Sequence, residues 1–155
     1  MRKKPTYKEL EQSIKELQQK AAELKGAEEL MRGGEEKYRT LFDESRDANY
    51  ITSRDGEFVD INRAFLELFG YSREEMIDKL NVQEIYVYPG DRDTFQQEIE
   101  KKGSVTDYEV KFCKKNGTEM DCLLTSTVRR SNDGSIVGYQ GIIRDVTEQK
   151  RIERL

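Results

Sequence analysis

The sequence predicts an α+β fold in which one antiparallel sheet carries short helices on one face and a long helix precedes the sheet. Three observations predict it. Apolar residues recur with a helical heptad spacing over the first 32 residues. Two short strand-like segments then lead into a run of short helical segments. Three longer segments with alternating polarity follow, joined by Asn-Gly and Asp-Gly turns.

Composition limits the function to a few classes. The 155 residues suffice for one domain and an extra element. Charged residues make up 37% and hydrophobic residues 35%, so we expect part of the chain to be a solvated helix. A net charge of -4 argues against a non-specific nucleic-acid binder. Because there is no His and no GxxxxGK[ST] loop, we expect no independent enzyme.

Cysteine usage and hydropathy indicate a reduced, cytoplasmic setting. Cys113 and Cys122 do not amount to a disulfide framework, and without His they make no zinc site, so no metal ligands are assigned. No apolar run approaches the roughly 20 residues that a membrane-spanning helix needs. We therefore expect no membrane span in this chain.

Residues 1–33 are predicted to form an amphipathic helix that ends at Gly33-Gly34. Thr6 and Glu9 have the spacing of a capping box. Two interpretations stay open: a helix that packs on its own domain, and a coiled coil in a homodimer, although Lys20 would face Lys25 in a parallel pair. The apolar seam consists of Tyr7, Leu10, Ile14, Leu17, Ala21, Leu24 and Met31.

From Gly34 onward the elements are short and separated by turns. Asn62 is placed to cap a helix over 63–69, and Ser72 to open the next one. Thr147 is placed to cap a last helix. The predicted elements are a helix over 35–45, strands over 48–53 and 58–61, helices over 63–69, 73–80 and 92–102, and strands over 106–115, 118–130 and 135–146.

A series of short motifs in a fixed order resembles the PAS domain, the sensory module of bacterial signalling proteins. Each motif is weak alone, but their order from 34 to 148 is specific. The motifs are Asp55-Gly56, Asn62 before Ala64-Phe65, Gly70-Tyr71-Ser72, Pro89-Gly90-Asp91-Arg92, Lys115-Asn116-Gly117-Thr118, Asp133-Gly134, Gly138 and Arg144-Asp145-Val146-Thr147-Glu148. We therefore assign 34–148 to a PAS domain and 149–155 to the start of an exit helix.

The resemblance implies a five-stranded antiparallel sheet in the order 2-1-5-4-3 that encloses a pocket under its helices. Family members fill this pocket with haem, flavin, organic acids, fatty acids or no known ligand. The lack of His argues against haem, and the lack of Cys over 72–88 argues against covalent flavin chemistry. The cofactor stays unknown, and a small, largely apolar ligand is one interpretation.

Strand alternation and the resemblance together assign residues to the pocket. Val137 is placed on the inner face of the last strand, and Gly141 is expected to leave space there. The same residues serve equally well as a filled hydrophobic core. The pocket candidates are Tyr50, Phe65, Phe69, Met76, Ile85, Tyr86, Phe95, Ile99, Tyr108, Val110, Phe112, Cys122, Leu124, Ser126, Tyr139, Gly141 and Ile143.

Two further surfaces follow from the pattern. Leu123, Ile136 and Ile142 are expected on the outer sheet face, where they would meet the N-terminal helix or a second subunit. Arg144, Asp145 and Thr147 form the junction with the exit helix, where a shift of the last strand would re-aim that helix.

These observations predict a sensory and relay module that belongs to a larger sensor, with a histidine kinase as its output domain. The alternatives are a ligand-free interaction and dimerisation domain, and a sensor for a diguanylate cyclase or a transcription regulator. We expect a homodimer formed through the N-terminal helix and the outer sheet face.

Overall fold

The computed structural model describes residues 3–154. These residues form two compact units, one that ends at Leu41 and one that begins at Phe42. Met1, Arg2 and Leu155, which the predicted terminal helices include, lie outside the described residues. The elements are α1 (Tyr7–Glu44), β1 (Ala48–Ser53), β2 (Phe58–Ile61), α2 (Arg63–Phe69), α3 (Arg73–Met76), a 3-10 helix (Val82–Ile85), α4 (Asp91–Lys102), β3 (Ser104–Cys113), β4 (Glu119–Arg130), β5 (Ile136–Asp145) and α5 (Thr147–Glu153).

The five strands form one antiparallel sheet in the order β2-β1-β5-β4-β3, which confirms the predicted fold class and strand order. The first and last strands of the sequence are therefore neighbours at its centre. Ala48 at the start of β1 pairs with Ile143 near the end of β5. The chain thus enters and leaves the sheet at the same end of two adjacent strands.

The first helix is longer than the sequence indicated. It begins after the predicted capping box, in which the Glu9 amide donates to Thr6 Oγ1 over 3.2 Å and the Thr6 amide donates to Glu9 Oε2 over 3.0 Å. It then continues through Gly33-Gly34 to Glu44, so the predicted break and the separate helix over 35–45 are corrected. Each glycine costs a helix only about 1 kcal/mol, and the flanking Glu, Lys, Arg and Leu residues favour helix.

The core lies between the inner face of the sheet and the short helices. Phe65 stacks on Phe69 with ring centroids 4.5 Å apart, and Phe112 meets Phe69 and Tyr86 edge to face. The inner residues of β4, which are Met120, Cys122, Leu124 and Ser126, are all buried. The candidate functional site lies inside this core, between the sheet and the aromatic cluster.

A bulge in β5 corrects the predicted faces of two residues. Arg129 pairs with Gly138 while Arg130 pairs with Ile136, so Val137 is the extra residue on its strand. As a result Val137 is 40% exposed, and Ile136 packs against the core instead of lying on the outer face. The predicted alternation of inward and outward side chains fails at Val137 because the bulge shifts the strand pairing by one residue.

Candidate functional site

The centre of the core holds a cavity of about 10 Å³, which is room for about one water molecule. Its wall combines apolar side chains with two phenols and one guanidinium. The lining residues are Tyr50, Phe58, Phe65, Val82, Ile85, Tyr86, Arg92, Phe95, Phe112, Leu124 and Ile143. Any larger ligand would therefore have to displace side chains.

The structure brings only part of the predicted pocket set to this cavity. The predicted residues that line it are Tyr50, Phe65, Ile85, Tyr86, Phe95, Phe112, Leu124 and Ile143. The others that are buried pack around it, namely Phe69, Met76, Ile99, Val110, Cys122, Ser126 and Tyr139. Tyr108 is half-buried with its ring edge to face against Phe95.

Gly141 does not open space, which corrects the expectation for this residue. A Cβ atom at Gly141 would lie 2.7 Å from the Cα of Ser126 and would clash with the Thr125 carbonyl. The glycine therefore permits a close approach of β5 to β4 rather than room for a ligand.

One hydrogen bond beside the cavity links β1 to β4, the two strands on either side of β5. The hydroxyls of Tyr50 on β1 and Ser126 on β4 are bonded to each other, and both residues are buried. Burial raises the pKa of the Tyr50 phenol to about 12. Burial likewise raises the pKa of the Cys122 thiol to about 12, which makes this thiol a poor nucleophile.

Arg92 is a site residue that sequence reasoning missed. Its side chain is only 5% exposed, and its guanidinium carbon lies 5.1 Å from the ring centroid of Tyr139 and 5.9 Å from that of Phe95. Its Nη2 donates one hydrogen bond, to the Arg54 carbonyl over 3.3 Å. Since Arg92 precedes Phe95 and Ile99 by three and seven residues, the helical spacing already placed it on the buried face.

A polar cleft of about 530 Å³ lies on the other side of Arg92. Glu100 Oε1 accepts from Arg54 Nε over 2.7 Å and from the Tyr139 hydroxyl over 2.8 Å. The Arg54 hydrogen bond lowers the pKa of the Glu100 carboxyl. The residues that line the cleft are Arg54, Asp55, Asn81, Gln83, Arg92, Asp93, Gln96, Gln97 and Glu100.

The entry junction, where α1 meets the sheet, is organised by Asn62. This side chain is fully buried and caps α2 as predicted, because its Oδ1 accepts from the Phe65 amide over 3.0 Å. The same oxygen accepts from the Asn49 amide of β1 over 2.9 Å. Its Nδ2 donates to the carbonyls of Phe42 and Asp47 over 2.8 and 2.9 Å. Asn62 therefore ties the last turn of α1 to β1, a role that its capping position did not reveal.

The exit junction, where β5 meets α5, differs from the predicted cap. Thr147 is the first residue of α5, and the preceding Val146 provides no side-chain cap. Instead Asp145 Oδ1 accepts from the Thr147 amide over 3.0 Å and from its hydroxyl over 2.5 Å. The Thr147 hydroxyl accepts in turn from the Asp121 amide of β4 over 2.9 Å. Asp145 thus performs the capping role, and Thr147 fastens the helix start to the sheet.

The remaining junction and outer-face residues lie at the surface. Arg144 is exposed and pairs in register with Leu123, while Ile142 pairs with Thr125. Leu123 and Ile142 are half-buried and alternate with the buried Cys122, Leu124 and Ile143, so they belong to the face opposite the core.

The sequence profile described as "PAS domain" matches residues 46–148, which is most of the unit that holds the cavity and both junctions. The chain belongs to the PAS domain family. A PAS domain is a sensory domain of signalling proteins. No helix within residues 3–154 is long and apolar enough to cross a membrane, and this described part contains no group of three His, Cys, Asp or Glu side chains that could hold a metal ion.

Relatives of this PAS domain occur in several signalling proteins. The chain is 27% identical over 122 residues to a probable diguanylate cyclase of Escherichia coli, with 76% of this chain and 11% of that protein aligned. It is 30% identical over 123 residues to a methyl sulfide methyltransferase-associated sensor of Methanosarcina acetivorans, with 76% of this chain and 12% of that protein aligned. The chain therefore spans only about an eighth of these relatives.

The fold also matches a solved PAS domain from a two-component sensor histidine kinase. The TM-score is 0.65 at 17% identity, with 74% of this chain and 98% of that chain covered. At this level of identity the match supports the shared fold.

Proposed function

We propose that this PAS domain relays a signal through β1 and β5 to its exit helix, and from there to an output domain of the same protein. The observation that carries the proposal is the position of the two junctions. Asn62 holds the end of α1 against β1, Asp145 and Thr147 hold the start of α5 against β4 and β5, and β1 pairs directly with β5. A displacement at one junction can therefore reach the other through the directly paired strands β1 and β5.

The last strand is suited to carry such a change. Tyr139 and Ile143 of β5 are buried in the core, and Asp145 at the end of the same strand accepts the first amide of α5. A displacement of β5 that follows repacking of the core would move this acceptor. The exit helix would then have two arrangements, one in which Asp145 caps α5 and one in which it does not. A signal can act by shifting the equilibrium between these two arrangements.

The output domain that we propose is a histidine kinase, with a diguanylate cyclase or a transcription regulator as the alternative. The first rests on the membership of the chain in a family of sensory domains, and the E. coli relative supports the second. The two free cysteines, Cys113 and Cys122, support a cytoplasmic location.

The relay is tested by replacing Thr147 with Val in a longer chain that carries its output domain. The substitution keeps the side-chain shape and removes the hydroxyl that joins Asp145 to Asp121. We expect output activity to change at least severalfold while the protein stays folded. Thr94→Val is the matched control, because the Thr94 hydroxyl in α4 donates to the carbonyl of Gly90, the residue just before that helix. Equal output from wild type and Thr147→Val would refute the relay.

We propose a second copy of the chain as the partner of α1. The seam residues Leu17 and Leu24 are 66% and 67% exposed, and the heptad spacing of the seam suits helix pairing. The half-buried Leu123 and Ile142 are proposed as the second part of the interface. Covering such apolar side chains is the main source of free energy for association.

Leu17→Glu with Leu24→Glu tests the dimer. We expect self-association to weaken by at least roughly 1,000-fold, because each buried leucine contributes about 2 kcal/mol and each chain loses two of them. Sedimentation equilibrium measures the change. Leu30→Glu is the control, since Leu30 is 80% exposed and lies off the seam. An unchanged dimer, or a wild-type chain that stays monomeric at high concentration, contradicts the proposal.

A ligand-free interaction and dimerisation domain is the second candidate function. The cavity of about 10 Å³ favours it, because the aromatic side chains themselves fill the space in which a ligand would sit. The buried guanidinium of Arg92 in the cavity wall, by contrast, favours a ligand.

A further inference from the structure

We propose that α1 pairs with a second copy of the chain along an apolar seam that changes phase after Leu24. This inference rests on the proposed homodimer, and it identifies the surface that the C-terminal half of α1 presents to the second copy. The shifted seam consists of six residues spaced three or four positions apart, which are Leu24, Ala27, Met31, Gly34, Tyr38 and Leu41.

The first argument is the spacing of apolar residues along the helix. If the heptads of the N-terminal half continued unchanged, Glu28 and Glu35 would occupy core positions of the pair. A step of three residues from Leu24 to Ala27, where the heptad has four, moves both glutamates to the flank and overwinds the pair locally. The apolar spacing then runs through 7–41, about five heptads, which exceeds the three to four that identify a coiled coil.

The two copies of α1 run parallel in this pair. With 38 residues the helix is about 57 Å long, so antiparallel pairing would place the two sheets at opposite ends of it. The proposed contact through Leu123 and Ile142 requires the sheets to lie close together. In a parallel pair each core residue of the seam faces the same residue of the second copy.

The second argument is the cost of burying charge. Without the phase change, each Glu28 would face Glu28 of the second copy in the core, and an unpaired buried charge is destabilising. On the flank both glutamates of this half remain in water. Each stands four residues before an arginine, Arg32 or Arg39, which is the spacing of an ion pair along a helix.

The phase change also rearranges the charges beside the seam. Lys25 moves away from it and no longer faces Lys20 of the second copy. In exchange, Glu23 comes to lie beside Glu28 of the second copy. That pair is exposed to water, so its repulsion is weak compared with that of a carboxylate in the core.

The third argument is the environment of the last turns of α1. Leu41 is 74% exposed, whereas Phe42 is half-buried in the unit that begins with it. The Phe42 carbonyl accepts from Asn62 Nδ2 over 2.8 Å. Without the phase change, Phe42 would be a core residue of the pair and would have to serve the PAS domain and the second copy at once. With it, Leu41 faces the second copy and Phe42 stays with the domain.

Two adjacent glycines differ in whether they face the second copy. Gly34 lies in the shifted seam, where the lack of a side chain lets two helices approach closely. Gly33 lies away from the seam. No atom of the described residues lies within 4 Å of a Cβ built at either position, so a single helix accepts a side chain at both.

The test compares Gly34→Glu with Gly33→Glu in the full chain by sedimentation equilibrium. Both substitutions introduce a better helix former, so neither weakens the helix itself. Gly34→Glu should weaken self-association at least about tenfold, because two carboxylates enter the core. Gly33→Glu should stay within about threefold of wild type, because its charge is exposed. In unshifted heptads Gly34→Glu would lie opposite Arg39 of the second copy, so association as tight as that of wild type or tighter overturns the phase change.

Disulfide trapping provides a second measurement that adds no charge to the seam. Single cysteines replace Gly33, Gly34 or Glu35 in a chain with Cys113→Ser, while the buried Cys122 is kept. Gly34→Cys should cross-link to the second copy under mild oxidation, and Gly33→Cys should not. Because position 35 is a core position of the unshifted heptads, faster cross-linking of Glu35→Cys than of Gly34→Cys contradicts the proposal. So does a lack of cross-linking at position 34.

Failure of the phase change differs from failure of the dimer. A dimer that Leu17→Glu with Leu24→Glu dissociates, but that tolerates Gly34→Glu, refutes only the shifted seam. A wild-type chain that stays monomeric at high concentration refutes the dimer and the shifted seam together.

Discussion

The entry and exit junctions of the PAS domain are built from similar polar groups but in different surroundings. At the entry, Asn62 is fully buried and makes hydrogen bonds with four different backbone groups. At the exit, Asp145 is exposed and Thr147 is half-buried. Breaking a buried hydrogen bond leaves a polar group without water, whereas an exposed one exchanges its partner for water. Asn62 therefore holds the entry more firmly than Asp145 and Thr147 hold the exit, and we expect the exit to move at lower cost.

This difference gives the relay a direction. A shift within the core meets strong resistance where α1 joins β1 and weak resistance where β5 joins α5. Local opening of a protein concentrates where few buried contacts hold the chain. We therefore expect a signal to appear first as a change at the start of α5.

The largest expected effect is on stability, from Asn62→Ala. The substitution removes the α2 cap and leaves the Asn49 amide and the carbonyls of Phe42 and Asp47 without their buried partner. We expect a loss of about 3 kcal/mol in the free energy of unfolding, because a cap contributes about 1 kcal/mol and each buried group left unpaired costs more. Urea unfolding measures it.

Asn81→Ala is the matched control for Asn62→Ala. Asn81 caps the 3-10 helix, where its side chain accepts from the Gln83 amide and donates to the Asp55 carbonyl, and these contacts are exposed. We expect a loss of about 1 kcal/mol, the usual value for a cap. Equal losses for the two variants would remove the contrast between a buried entry junction and an ordinary cap.

Local sequence signals predicted those parts of the molecule that depend on neighbouring residues. The Asn-Gly and Asp-Gly turns, the capping box of Thr6 and the cap by Asn62 each depend on residues a few positions apart, and the structure contains all of them. The alternation on β4 held because the extra residues at its two register shifts lie on the neighbouring strands β3 and β5, so that β4 itself stays regular.

The features that sequence reasoning missed depend on contacts between distant segments. The bulge at Val137 arises from how β5 meets β4, and no pattern within β5 announces it. The close approach at Gly141 likewise depends on Thr125 and Ser126 of the neighbouring strand. Arg92 was passed over because a charged residue on a helix is usually solvated, although its spacing from Phe95 placed it on the buried face.

The smallest expected effect is at the exit junction, from Thr147→Val without any output domain attached. The hydroxyl that accepts from the Asp121 amide over 2.9 Å is lost, and water replaces it. We expect a stability loss of about 0.5 kcal/mol, at the low end for a hydrogen bond that water can replace. Hydrogen exchange of the Asp121 amide should accelerate, while the Asn49 amide at the entry keeps its rate.

The pattern of exchange decides between a soft exit and a uniformly weakened domain. If Thr94→Val accelerates hydrogen exchange of the Asp121 amide as much as Thr147→Val does, the effect is a general loss of stability and the exit has no special mobility. If Thr147→Val also accelerates the Asn49 amide, the two junctions open as one cooperative unit. Acceleration confined to Asp121 and the first turn of α5 means that the exit helix moves on a sheet whose entry stays closed, which is the condition for a signal to leave the domain at α5.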